Sequence, residues 1–225
     1  MNILTIILSL IPGFAWLFFY LREDPHPEPK RLIVFTFVVG MAFAFLALAI
    51  EVVMNSALHG FGVEKLTIFS LLCLALIEEF LKFWAAYWSI GKSPEFNEPV
   101  DAMIYMVVAA LGFATVENLG AIGGIKSAET AILSSVFVTT SLRFVGATLL
   151  HSLASAVFGY YWALGIREFK AKRYIFIGII VATLLHAFFN YLIINYGNLA
   201  YSVVFLAIVG FFVLSDFEKL KRRVI

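Results

Sequence analysis

Seven runs of apolar residues, near 3–21, 32–55, 67–90, 100–122, 143–165, 174–196 and 199–215, take up most of the chain. A helix rising ~1.5 Å per residue needs about 20 apolar residues to cross a hydrocarbon layer ~30 Å thick, and these runs are close to that length. Lipid offers no water to backbone N–H and C=O groups, so such runs must satisfy their own backbone as helices. The expectation is an all-α, polytopic transmembrane bundle of about seven spans, forming one integral-membrane domain over residues 1–225. Composition agrees. With 62% hydrophobic and 14% charged residues, the chain has too little polar side chain to cover a water-facing surface, which excludes an ordinary soluble enzyme. Residues 130–142 are also apolar and fit an extension of the fifth span, an interfacial segment or a re-entrant piece. The stretch from Asp24 to Pro29 reads as a stiff, proline-rich loop. No basic segment precedes the first span, so it reads as a retained anchor rather than a cleaved signal peptide.

Basic residues set the expected orientation. With seven alternating spans, Arg22, Lys30, Arg31, Lys92, Arg167, Lys170, Lys172, Arg173, Lys219, Lys221, Arg222 and Arg223 share one side, against Lys65 and Lys126 on the other. The positive-inside rule then puts the N-terminus outside and the C-terminus in the cytoplasm. A formal net charge of +1 gives no basic field for nucleic acid, so the partner that composition demands is the lipid bilayer. The single cysteine, Cys73, excludes an intramolecular disulfide and a cysteine-built zinc site.

Several ionisable residues fall inside or beside the spans: Glu51, Glu78, Glu79, Lys82, Glu117, Arg143, His151 and His186. A charge at the centre of an isolated membrane helix costs roughly 2.5–3.5 kcal/mol on insertion scales, and the third span carries three within five residues. Glu78 and Lys82 can pair at i,i+4, but one lysine neutralises one carboxylate, and the second glutamate still needs a partner, a proton or a function. His151 and His186 each close an Ala-Thr-Leu-Leu-His pentapeptide. Either can be interhelical hydrogen-bonding glue, although Asn190 follows His186 at i+4 on the same helix face. Helical rise places Glu78, Glu79, Glu117, His151, His186 and Asn190 in one layer, from the midplane to the outer leaflet.

A carboxylate in such a layer can take a proton from water, a histidine can orient that water or protonate a leaving amine, and imidazole and amide groups can donate to an oxyanion. These roles describe peptide hydrolysis. No Gly-x-Ser-x-Gly elbow, His-Glu-x-x-His motif or phosphate-binding glycine loop is present. Glu78, Glu79, Glu117, His151 and His186 could also hold a divalent metal such as zinc, and spacing leaves that choice open.

Three segments carry a resemblance to a known family: Leu76-Ile77-Glu78-Glu79-Phe80-Leu81-Lys82-Phe83-Trp84, Glu98-Pro99-Val100-Asp101-Ala102-Met103-Ile104-Tyr105, and Leu111-Gly112-Phe113-Ala114-Thr115-Val116-Glu117-Asn118. In motif, order and spacing they resemble the PrsW family of intramembrane proteases. Further similarity lies in Pro12-Gly13, the Asp24 to Pro29 loop, His151 with Gly159, and His186 with a polar residue at i+4. The resemblance implies cleavage of a single-span, anti-sigma-factor-like membrane protein on its extracytoplasmic side, in a prokaryotic plasma membrane. A more distant similarity to the type II CAAX prenyl endopeptidases implies a glutamate-based site, into which His186 and Asn190 fit as His-x-x-x-Asn. Asn190 departs from the aspartate usual in PrsW proteins: an amide suits an oxyanion donor, an aspartate a histidine's orienting partner. The primary expectation is a glutamate protease that requires no cofactor, with Glu78 as base, Glu79 beside it, and Glu117, His151, His186 and Asn190 completing the site. Lys82, Asn118 and Asp101 support it, Asp101 in a structural role. A metal-dependent form of the same protease is the alternative; a proton-coupled transporter and a non-catalytic scaffold are rivals from other classes. Substrate, scissile bond and oligomeric state are not written in the residues.

Overall fold

The computed structural model describes residues 3–125 and 129–221, and the regular structure in them is helical: α1 (Ile3–Leu21), α2 (Lys30–Gly60), α3 (Ile68–Ile90), α4 (Pro99–Gly123), α5 (Glu129–Val145), α6 (Ala147–Arg167), α7 (Ala171–Tyr196) and α8 (Leu199–Lys221). The chain is thus a multi-pass helical membrane protein. Five segments pass a test of length and apolarity for spanning: α2, α4, residues 134–167 of α5 and α6 taken together, α7 and α8. The charges of α3 and the shorter described length of α1 set those two apart, yet both are built into the bundle.

Local sequence marks the helix ends. Thr67 caps α3 by accepting from the Ser70 N–H at 3.3 Å. Pro99 opens α4, and the Asp101 carboxylate accepts the Asn97 and Glu98 N–H groups at 3.0 and 2.8 Å, satisfying donors that a helix start leaves unpaired. Gly197 ends α7 in the left-handed region at φ 60°, where a side chain would be strained.

α4 is the axis of the molecule. Every residue from Val100 to Val116 is buried, enclosed by α1, α2, α3 and α6. Close approach requires small residues: a Cβ at Gly40 would meet the Ala109 carbonyl, one at Gly112 the Phe37 carbonyl, and one at Gly159 would lie 2.6 Å from the Met103 Cα. Glycines therefore set the α2–α4 and α4–α6 distances.

The apolar segment 130–142 belongs to α5, separated from α6 by a break at Gly146 (φ −114°, ψ −99°). α5 is held to α1, where the Trp16 indole N–H donates to the Phe144 carbonyl at 2.9 Å and the two rings stack at 5.2 Å. The expected fifth span, 143–165, is carried by α6 from Ala147 onward, and its first three residues close α5 across the buried Gly146.

Ion pairs gather the basic loops at one end. Lys221 bonds Glu23 at 2.7 Å, His26 meets Glu98 at 2.9 Å, and the Lys219 ammonium lies 5.7 Å from the centre of the Tyr160 ring. The end of α8 therefore meets the end of α1, so the first and last helices have their outer termini at opposite ends of the bundle. Lys126, Arg222 and Arg223 lie outside the described residues.

Candidate active site

The double glutamate of α3 shares one lysine of its own helix and is then linked to three other helices. Lys82, fully buried, donates to Glu79 Oε1 at 2.8 Å and to Glu78 Oε2 at 3.2 Å. The same ammonium lies 2.6 Å from Nδ1 of His151 on α6, which makes that nitrogen the acceptor. His151 must then carry its proton on Nε2, which donates to Glu117 Oε2 of α4 at 2.9 Å. On α7, His186 Nδ1 donates to Glu79 Oε1 at 2.8 Å, and its ring meets that of His151 edge-on at 5.1 Å. The tautomers follow from this network of donors and acceptors.

Glu79 and Glu117 are thereby committed. Glu79 accepts from Lys82, His186 and the Ser155 hydroxyl, the last at 3.4 Å, and none of its side chain is exposed. Glu117 accepts from His151 and from Arg143 of α5 at 3.1 Å. Arg143 also bonds Asn118, whose amide donates to Thr148 at 3.2 Å and so ties α4 to α6. Each histidine is held by a carboxylate on its far nitrogen.

Their near nitrogens face Glu78. Its Oε2 lies 3.7 Å from His151 Nδ1 and 3.9 Å from His186 Nε2, and one donor atom from each of these residues falls within 4.8 Å of the other two. Side-chain exposure is 12% for Glu78 and 23% for Glu117, against none for Glu79 and Lys82, so reactants reach the cluster past the first two. With neutral imidazoles, the three carboxylates of Glu78, Glu79 and Glu117 outnumber the cations of Lys82 and Arg143, leaving a net negative centre inside the bundle. One carboxylate and two imidazoles, each imidazole backed by a carboxylate, are a donor set and outer shell that suit a divalent zinc-like ion. A carboxylate facing two imidazoles can equally strip a proton from water.

Of the residues singled out by sequence, Glu78, Glu79, Lys82, Glu117, Asn118, His151 and His186 come together here. Asn190 is half-buried one turn beyond His186 and makes no hydrogen bond among the described residues. Asp101 caps the far end of α4, sixteen residues or ~24 Å of helix from Glu117, and so stands outside the cluster. Sequence reasoning missed the role of Arg143, recognised only as a charge beside a span. Its signal was position, eight residues before His151, but the break at Gly146 that turns it toward Glu117 has no periodic signature. A cleft of about 360 Å³, lined by Arg143, Gly146, Phe189 and Leu199 among others, opens beside it between the α5–α6 junction and the α7–α8 turn.

Comparison with known proteins bears on this geometry. Residues 28–215 match the model of the PrsW family intramembrane metalloproteases. The chain is 29% identical over 188 residues to "Protease PrsW" of Geobacillus kaustophilus, covering 83% of this chain and 78% of that protein. It is 26% identical over 198 residues to the protein of the same name in Bacillus subtilis (86% and 84%), and 27% identical over 191 residues to that of Clostridioides difficile (83% and 78%). No solved structure matches the chain.

Proposed function

The chain belongs to the PrsW family of intramembrane metalloproteases, and from that premise we propose that it is an endopeptidase that cuts a single-span membrane protein, of the anti-sigma-factor type, in a step of regulated proteolysis. The observation that carries this reading is the convergence of Glu78, His151 Nδ1 and His186 Nε2 on one point, with Glu79 and Glu117 fixing the two rings. A scaffold has no use for two imidazoles held in defined tautomers against one partly accessible carboxylate, and the family match favours hydrolysis over a proton relay built from the same groups.

Glu78, His151 and His186 fit a divalent ion and would be its ligands, His151 once its Nδ1 lone pair is released by the Lys82 ammonium that it faces at 2.6 Å. When bound, such an ion polarises the scissile carbonyl and makes water easier to deprotonate. The protein's own groups supply the rest. Glu79 and Glu117 hold the imidazole protons away from the reacting centre. Lys82 balances the adjacent glutamates, and Arg143 anchors Glu117. The unpaired Asn190 amide, one turn outward, is free to donate to the carbonyl oxygen as negative charge develops there. A second reading, in which Glu78 itself takes the water's proton with no metal, rests on a separate observation: the Lys82 ammonium at 3.2 Å from Glu78 and 2.6 Å from His151 already supplies a cation at the centre.

Orientation completes the proposal. The basic loop end faces the cytoplasm, so the site opens toward the extracytoplasmic side, and substrate is cut in its outer juxtamembrane segment after local unwinding, because a helix buries the carbonyl that must be attacked. Purified protein mixed in detergent with tagged single-span membrane proteins from its host should yield two fragments, and Glu78→Gln should yield none. Metal analysis of the same preparation, with and without a chelator, separates the two readings: cleavage lost on chelation and restored by zinc requires the ion. Cleavage by Glu78→Gln at the wild-type rate contradicts both.

A further inference from the structure

One carboxyl at membrane depth is left without a partner. Glu51 makes no hydrogen bond and no ion pair among the described residues, whereas Glu78, Glu79, Lys82, Glu117, Arg143, His151 and His186 each make at least one. It sits in the inward stripe of α2, following Gly40, Ala44 and Ala47 at helical spacing and preceding Leu58, all buried. That stripe faces the active-site helices: Ala44 and Ala47 pack with Leu81 of α3 and with Phe113 and Val116 of α4, and Ile50 and Ile77 flank the same cluster. Glu51, Glu78 and Glu117 each directly follow a residue of that cluster or its flank, namely Ile50, Ile77 and Val116, so three helices bring three carboxyls to the edge of one apolar floor. Depth agrees. Glu51 lies nine residues before the end of α2 and Glu78 ten after the start of α3, ~14 and ~15 Å from the same end of the bundle. The charged groups that act on Glu51 from the helices around it are Glu78 and Lys82 of α3, Glu117 of α4 and His186 of α7.

Hydrolysis of an amide needs a proton carried to the nitrogen that leaves. In the peptidase reading, on which this inference rests, Glu79 is held by Lys82, His186 and Ser155, Glu117 is held by His151 and Arg143, and Glu78 faces the attacking water. We propose that Glu51 is a catalytic acid of this site, delivering a proton to the departing amine. Water oxygen forms the new bond to the carbonyl carbon. The C–N bond breaks with its electron pair on nitrogen, which takes the Glu51 proton. The proton shed by the water ends on Glu51, directly or by way of Glu78, and restores it for the next turnover.

Two internally quenched peptides test this, both built on the bond that the wild-type protein cuts and differing only in whether that bond is an amide or a thioester. A thiolate leaves without being protonated, so only the amide requires the acid. Glu51→Gln, checked for a single size-exclusion peak and an unchanged unfolding midpoint, should lower kcat on the amide by roughly 10²–10⁴-fold with KM unchanged. It should cut the thioester at the wild-type rate. Glu51→Asp should recover part of the amide rate, and Glu78→Gln should lose both bonds. Wild-type amide turnover in Glu51→Gln overturns the proposal, and so does equal loss on both bonds, which marks a structural role. If the wild-type protein cuts no membrane protein, so that there is no bond on which to build the peptides, it is the peptidase reading that falls.

Discussion

At the scale of single residues, the two glutamates of α3 are not equivalent. Glu79 accepts three hydrogen bonds in full burial, while Glu78 keeps an exposed edge and shares Lys82 as its more distant partner. Breaking a buried ion pair by removing one partner costs about 3–5 kcal/mol, because the other charge stays behind in low dielectric. Glu79→Gln should therefore lower the thermal midpoint in detergent by more than Glu78→Gln does, while Glu78→Gln abolishes cleavage and stays close to wild type in stability. Equal midpoints would show that Lys82 is served equally by either glutamate. Which residues matter was legible in sequence, since each ionisable group at depth carries a cost that needs a reason. How they pair was not. The link from Lys82 to His151, and from there to Glu117, joins residues far apart in sequence and depends on which imidazole nitrogen holds the proton, a choice made only once three helices have met.

Helices bring their own tests. Gly159 lets α6 rest against the Met103 backbone two turns from His151, and a side chain there must push the helices apart. Overpacking of this kind costs about 1–3 kcal/mol, and a displaced α6 carries His151 off the centre. Gly159→Val should thus lower both unfolding midpoint and turnover, whereas Gly60→Ala, where a Cβ meets nothing, should lower neither. A second test lies at the junction of the α1–α2 loop with α4. Glu28 bonds the Tyr105 hydroxyl at 2.6 Å, and burial, reinforced by the charge of Asp101, pushes its carboxyl up from 4.5 to about 7. A carboxyl raised in the folded state favours folding while protonated, so its contribution is full below pH 4.5 and fades as pH rises through about 7. Protection of the Asp24, His26 and Glu28 amides, taken relative to their intrinsic base-catalysed exchange, should fall between pH 5 and 8, and Glu28→Gln should remove that fall. Helix identity was legible from apolar length alone; the division of α5 from α6 was not, because Gly146 interrupts no pattern and reads as one small residue in an apolar run.

For the whole molecule, the gathering of basic loops at one end makes topology testable apart from chemistry. A reporter fused after residue 225 should signal cytoplasm and one inserted at Gly62 the opposite compartment. A cytoplasmic signal at Gly62 would move the predicted cut to the other side of the membrane. The enclosed α4 has a consequence in time as well as in space. Translation delivers Glu117 and Asn118 to the bilayer before Arg143, Thr148 and His151 have left the ribosome. For that interval the axis helix carries a carboxylate whose cation is 26 residues behind it. Arg143 then has a duty during synthesis, ending the exposure of its own neighbour, before the finished protein meets any substrate.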